Sequence, residues 1–118
     1  SQSNASCILK DRRGYMWFGT QDGLNRYDGY QLITYKHYPF DSTSLPGDDI
    51  RTLCEDKQGF LWVGTDNGLS RFDPSSGKFR RFPELLEMGR RFSKFRIMSL
   101  TTDAYGTLWI AVNQGLFR

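Results

Sequence analysis

One pattern constrains this chain more than any other feature: D-x-x-G-x-x-W, followed by a small residue two places on and a Gly-Leu pair. It reads DRRGYMWFGTQDGL at 11–24, DKQGFLWVGTDNGL at 56–69 and DAYGTLWIAVNQGL at 103–116. The tryptophans Trp17, Trp62 and Trp109 are 45 and then 47 residues apart. Self-similarity at that period marks a repeated supersecondary unit that buries its faces against copies of itself.

The second repeat is the most complete. IRTLCED is rich in β-formers and ends in Asp56, FLWVGT is a second such run, LSRFD a third and KFRRF a fourth. The segments DKQG, TDNG and DPSSG between them are turn-like, each closing on glycine. A short hairpin loop ends in a left-handed residue, where glycine carries no Cβ penalty. An aspartate opening such a turn bonds its own backbone two residues on. Asp11, Asp56 and Asp103 therefore read as turn-formers, and Gly14, Gly59 and Gly106 as left-handed closers, with Gly23, Gly68 and Gly115 expected to share that conformation. The third turn of the first repeat, Asp28-Gly29, reads as a two-residue hairpin.

In FLWVGT, Leu61 and Val63 point one way while Trp62 and Gly64 point the other. Both faces are apolar or small, so the strand is expected to be buried on both sides. The residue two after each tryptophan is Gly19, Gly64 or Ala111, which leaves room for a neighbouring sheet to come close. The three tryptophans read as largely buried spacers between sheets.

Four-stranded antiparallel units of this period, apolar on both faces, predict an all-β chain of β-propeller blades. The expected blades are 5–38, 50–82 and 95–118, the last lacking its fourth strand, so the chain reads as a fragment of a larger propeller. PFDSTSLPGDD (39–49) and PELLEMGRRFSK (83–94) connect them, the second with a helical turn at ELLEM ended by Gly89. Residues 1–5 read as either native or a cloning remnant. End blades with uncovered faces and a free strand edge predict self-association of the fragment, with further blades covering those faces in an intact protein.

The absent chemistry narrows the function. The single histidine, His37, lies in YKHYP without a nucleophile motif, and no cysteine pair has metal-ligand spacing. Cys7 and Cys54 are not equivalent repeat positions and read as free, buried thiols. No catalytic residue, metal site or cofactor is expected, and no apolar run has the length of a membrane helix, so no membrane contact by this segment is expected. A formal net charge of +3 and no reader motif argue against nucleic acid, although GRRFSKFR (89–96) interleaves basic and aromatic residues. Arg26, Arg71 and Arg118 recur at one repeat position, where an arginine pairs with a carboxylate or stacks on an aromatic. The loops after each second strand should share one rim with the inter-blade connections. That rim carries Gln21, Asp22, Asp66, Asn67, Asn113 and Gln114, with Tyr38 and Phe40 nearby. Amides and carboxylates beside aromatics suit a carbohydrate-like ligand, yet the same residues populate turns for backbone reasons alone. Both readings stand at this point.

MWFGTQDGLNRYDGY and FLWVGTDNGLSRFD resemble the two-component regulator propeller repeat, and the resemblance spans nearly the whole chain. The third copy departs at Ala111-Val112, where the other two have Gly-Thr. The resemblance implies a ligand-sensing, periplasmic (extracytoplasmic) propeller segment of an inner-membrane bacterial signal-transduction protein. It implies a hybrid histidine kinase responding to carbohydrate, with an oligosaccharide as ligand and the kinase outside this segment. Two alternatives are the sensor region of a diguanylate cyclase and a structural or protein-interaction propeller with no small ligand.

Overall fold

The computed structural model describes residues 5–81, 97–112 and 115–117. Among the described residues all elements are strands, in three antiparallel sheets. Sheet one is β1 (Cys7–Lys10), β2 (Met16–Thr20), β3 (Gly23–Tyr27) and β4 (Leu32–Tyr35), in that order. Sheet two repeats it with β5 (Ile50–Glu55), β6 (Leu61–Thr65), β7 (Gly68–Asp73) and β8 (Lys78–Arg81). Sheet three, among the described residues, is β9 (Ile97–Thr102), β10 (Leu108–Val112) and β11 (Gly115–Phe117).

The aspartate of each repeat explains why its spacing to tryptophan is fixed. Asp11 Oδ1 accepts the backbone N–H groups of Arg13 and Tyr15 at 2.9 and 3.0 Å, while Oδ2 accepts the Trp17 indole N–H at 2.8 Å. Asp56 does the same with Gln58, Phe60 and Trp62, and Asp103 with Tyr105, Thr107 and Trp109. One carboxylate thus closes the hairpin and orients the indole six residues on. Gly14, Gly59 and Gly106 take φ of 92, 92 and 83°, where the type I turn needs a left-handed residue. Gly23 and Gly68 are positive as well, whereas the turn leading into Gly115 includes residues outside the described set.

A second clamp closes the next turn. Thr20 Oγ1 donates to Gly23 O at 3.1 Å and accepts the Asp22 amide at 3.0 Å, and Thr65 repeats this with Gly68 and Asn67 at 2.9 and 3.0 Å. The third repeat has Val112 there, with no hydroxyl. Thr65→Val should cost about 1 kcal/mol, the usual worth of such a hydrogen bond, read as a lower urea midpoint at unchanged slope.

The sheets stack face to face. Trp17 is fully buried against sheet two, 5.2 Å edge-on from Phe72 and 5.9 Å stacked on Tyr35. Leu45, Ile50, Leu61, Val63 and Phe79 complete this core, and Cys54, Leu69, Ile97, Leu100 and Ile110 form a second one between sheets two and three. Gly19 and Gly64 allow the close approach expected of them. A Cβ on Gly19 would lie 2.3 Å from Ile50 Cγ2, and one on Gly64 2.4 Å from Ile97 Cγ2. β2 and β6 each have a hole, and the next sheet's inner strand supplies an isoleucine knob.

Two expectations need correction and one needs refinement. Trp62 and Trp109 are less deeply buried than Trp17. The turn after β3 is a four-residue loop rather than a two-residue hairpin: Tyr27 pairs with Leu32, and Asp28 Oδ1 accepts the Tyr30 and Gln31 amides. Cys7 is half-buried, not buried; both cysteines are free as expected, and burial raises the thiol pKa of each. The helical turn at ELLEM, the GRRFSKFR stretch and Arg118 lie outside the described residues. Arg26 stacks over Tyr15 and Trp17, and Arg71 over Phe60 and Trp62, so this repeat position serves cation–π packing.

Candidate functional site

The stacked sheets present two rims. On one lie the turns closed by Asp11, Asp56 and Asp103, and on the other the turns after β2 and β6 with the connection 36–49. The first rim is tied across sheets. The Arg12 guanidinium donates to the carbonyls of Asp56 and Lys57, both at 2.8 Å, and Lys57 Nζ donates to Ala104 O at 2.6 Å. The residue after each repeat aspartate is therefore a strap to the next sheet, and the third repeat, with Ala104, has no donor side chain to continue it. Beside the strap is a groove of about 290 Å³ whose walls include Arg13, Gln58, Phe60 and Ser75.

The second rim is built around the connection. Leu45 plugs the core, and the chain around it is held by Arg81 at the end of β8. The Arg81 guanidinium donates to the carbonyls of Asp41, Ser44 and Leu45 at 3.0–3.1 Å and to Ser44 Oγ at 3.0 Å. His37 Nδ1 lies 2.6 Å from the Leu45 carbonyl, an acceptor, so Nδ1 carries the proton of this hydrogen bond. Ser44 Oγ accepts the Tyr38 amide, and Thr43 O accepts the Phe79 amide, which joins the connection to the outer strand. The connection is thus a fixed part of the rim. It leaves Tyr38 and Phe40 exposed, the latter completely.

The expected site residues fall as follows. Asp66 and Asn67 meet the connection: the Asn67 side-chain amide donates to Pro46 O at 2.9 Å, and the Asp66 amide donates to Asp49 O at 3.1 Å. The Asp66 carboxylate stays at the exposed edge, near Gly47. Asp22 is paired with Lys36 at 3.4 Å, next to the exposed Gln21. Tyr38 is on the same connection. Asn113 and Gln114 lie outside the described residues. The Asn67 amide nitrogen is engaged by Pro46 O although the residue is exposed, and Gln21, Tyr38, Phe40 and Asp66 are exposed as well. Arg81 had no signal in the sequence, because its role depends on carbonyls 36–40 residues earlier.

Three turn aspartates titrate low: Asp28 through the Gln31 amide, Asp41 through the Thr43 hydroxyl and Asp73 through the Ser75 hydroxyl. A carboxylate with a folded pKa below its unfolded one adds stability above the unfolded value, lost as pH falls through the folded value. Exposure keeps each contribution small.

Stacked four-stranded antiparallel sheets with inner strands side by side define propeller blades. A model of the two component regulator propeller matches residues 1–22 and 44–67, and these two stretches are similar to repeats of that family. A 45-residue stretch is 47% identical to histidine kinase P4 of Formosa agariphila, covering 38% of this chain and 3% of that one. The extracellular domain of the hybrid two component system BT4673 from B. thetaiotaomicron superposes with a TM-score of 0.74 at 30% identity, over 87% of this chain and 14% of that one. The corresponding domain of BT3049 from the same organism shares the fold at a TM-score of 0.57 and 18% identity, over all of this chain and 25% of that one. The chain thus spans a small part of each relative and matches a portion of larger propeller domains.

Proposed function

We propose that this chain is a ligand-sensing propeller segment, with blades at 5–38, 50–82 and 95–118, of a membrane-spanning hybrid histidine kinase. The blades face the extracytoplasmic side and the kinase lies outside the segment. The likeness to extracellular domains of hybrid two component systems supports the sensor reading. The observation that carries the choice of ligand is the second rim, where exposed aromatics stand on a connection pinned by Arg81, beside the polar edge of Gln21 and Asp66. An aromatic face held on a rigid loop stacks on a sugar ring, and nearby amide and carboxylate groups bond its hydroxyls. We therefore assign an oligosaccharide ligand, with Gln21, Asp22, Tyr38, Asp66, Asn67, Asn113 and Gln114 at or around its site.

Thermal shift against neutral, uronate-bearing and sulfated oligosaccharides tests this. Saturation at about 100 times Kd adds roughly 2.7 kcal/mol to the native state. One class should raise the melting temperature, and Tyr38→Ala should abolish the rise while leaving the unliganded midpoint unchanged. No shift with any class, or a shift indifferent to Tyr38→Ala, would leave this rim without its ligand.

A further inference from the structure

Along the second rim each described carboxylate has a partner except one. Asp22 pairs with Lys36 at 3.4 Å and Asp49 with Arg51 at 3.3 Å. Asp48 accepts the His37 amide at 2.7 Å, and Asp41 accepts the Thr43 amide at 2.9 Å as well as its hydroxyl. The Asp66 carboxylate has no hydrogen bond or ion pair among the described residues; only its backbone amide is used, on Asp49 O. The neighbouring cations are spent, Lys36 and Arg51 in those pairs and Arg81 on the carbonyls of the connection.

That carboxylate is also held in place. Asn67 Nδ2 donates to Pro46 O at 2.9 Å and the Asp66 amide to Asp49 O at 3.1 Å, so the turn grips the connection on both sides of Gly47. Gly47 is buried, and a Cβ there would stand 2.7 Å from Asp66 Oδ1 and 3.2 Å from Asn67 Cβ. Its φ is not positive, so the position uses the missing side chain rather than backbone freedom. The carboxylate is thus seated against bare backbone on a segment that Arg81 fixes, and a rigid scaffold is where a recognition group belongs. The turn itself does not need the charge. Gln21 takes the same place in the first repeat, under the same threonine clamp, and Asn113 takes it in the third. All three side chains accept hydrogen bonds, and Asp66 alone is charged.

We infer that Asp66 sets the charge class of the saccharide: it accepts two adjacent hydroxyls of a neutral sugar and turns away uronate-bearing and sulfated chains. The two O–H donors of a vicinal diol match the two oxygens of a carboxylate, and a charged acceptor makes each bond roughly twice as strong as a neutral amide does. An acidic sugar brought to the same place meets like charge, and the cations beside it are already engaged, so its affinity falls. The inference rests on the rim ligand proposed above.

Thermal-shift titrations with a neutral hexose oligomer, a hexuronate oligomer and a sulfated hexose oligomer of equal length test this. The neutral oligomer should bind the parent chain about tenfold or more tightly than either acidic one. Asp66→Asn keeps the shape and one acceptor, and it folds because the bonds to Asp49 O and Pro46 O do not involve the carboxylate. It should weaken the neutral oligomer about tenfold and bring the acidic ones level with it. An acidic oligomer that stabilises the parent as much as the neutral one, with the effect lost in Tyr38→Ala, overturns the role of Asp66 while keeping the rim ligand. Asp66→Asn with an unchanged neutral-to-acidic ratio overturns it too. No shift with any of the three oligomers removes the rim ligand, and this inference with it.

Discussion

Trp17→Ala should lower the unfolding free energy by about 3–5 kcal/mol, as large-to-small changes of a buried aromatic do. The residue is nearly inaccessible and packs on Phe72 of the neighbouring sheet and on Tyr35 of its own. Tyr35 and Phe72 in turn contact Phe79, so a gap at Trp17 undermines an aromatic cluster rather than one contact. The substitution also strands the Oδ2 lone pairs of Asp11 that accept the indole N–H. Trp62→Ala should cost less, because that side chain is less deeply buried. Urea unfolding of the two variants side by side checks both size and order. A Trp17 cost below about 1 kcal/mol would mean that sheets one and two do not pack through this residue.

Gly64→Ala should destabilise by about 1–3 kcal/mol although it adds a single methyl group. The new Cβ would lie 2.4 Å from Ile97 Cγ2 and 2.6 Å from Thr52 Cγ2, so the neighbouring sheet must move away. Gly64 is not among the glycines with positive φ, so the cost is steric, not conformational. That distinction gives the prediction its signature. Ile97→Ala should be costly alone but should cost clearly less in a Gly64→Ala background, since the methyl then fills part of the vacated space. Strict additivity of the two changes would show that sheet three does not meet sheet two at this knob and hole.

Much of this architecture is written in local chemistry, and that is why it was readable. The left-handed turns at Gly14, Gly59 and Gly106 and the small residues after each tryptophan follow from short-range rules that hold in any context. The aspartates were read only in part. Their bond to the backbone two residues on is local, whereas the bond to the tryptophan indole needs the hairpin to have formed. The deeper burial of Trp17 relative to Trp62 and Trp109 was not legible, because burial depends on what the adjoining sheet places over a residue, which the repeat itself does not specify. The Asp28 loop was misread because Asp-Gly favours a two-residue hairpin, yet the pairing of Tyr27 with Leu32 leaves four residues to connect. In the candidate site the rim residues Gln21, Asp66 and Tyr38 were legible from turn composition. The structural employment of Asn67 and the hold of Arg81 on the connection were not, since both partners are long-range carbonyls.

The claim on which the account rests is that one aspartate-clamped blade is built three times. Exchange of the three indole N–H protons, followed by nuclear magnetic resonance, tests it most directly. Trp17, Trp62 and Trp109 should each show a protected indole proton, because each donates to a repeat aspartate at 2.8–3.0 Å. Asp56→Ala should release protection at Trp62 while Trp17 and Trp109 keep theirs. Indole protons exchanging at the rate of free tryptophan, or an Asp56→Ala change that leaves Trp62 protected, would contradict the clamp and the repeated blade with it.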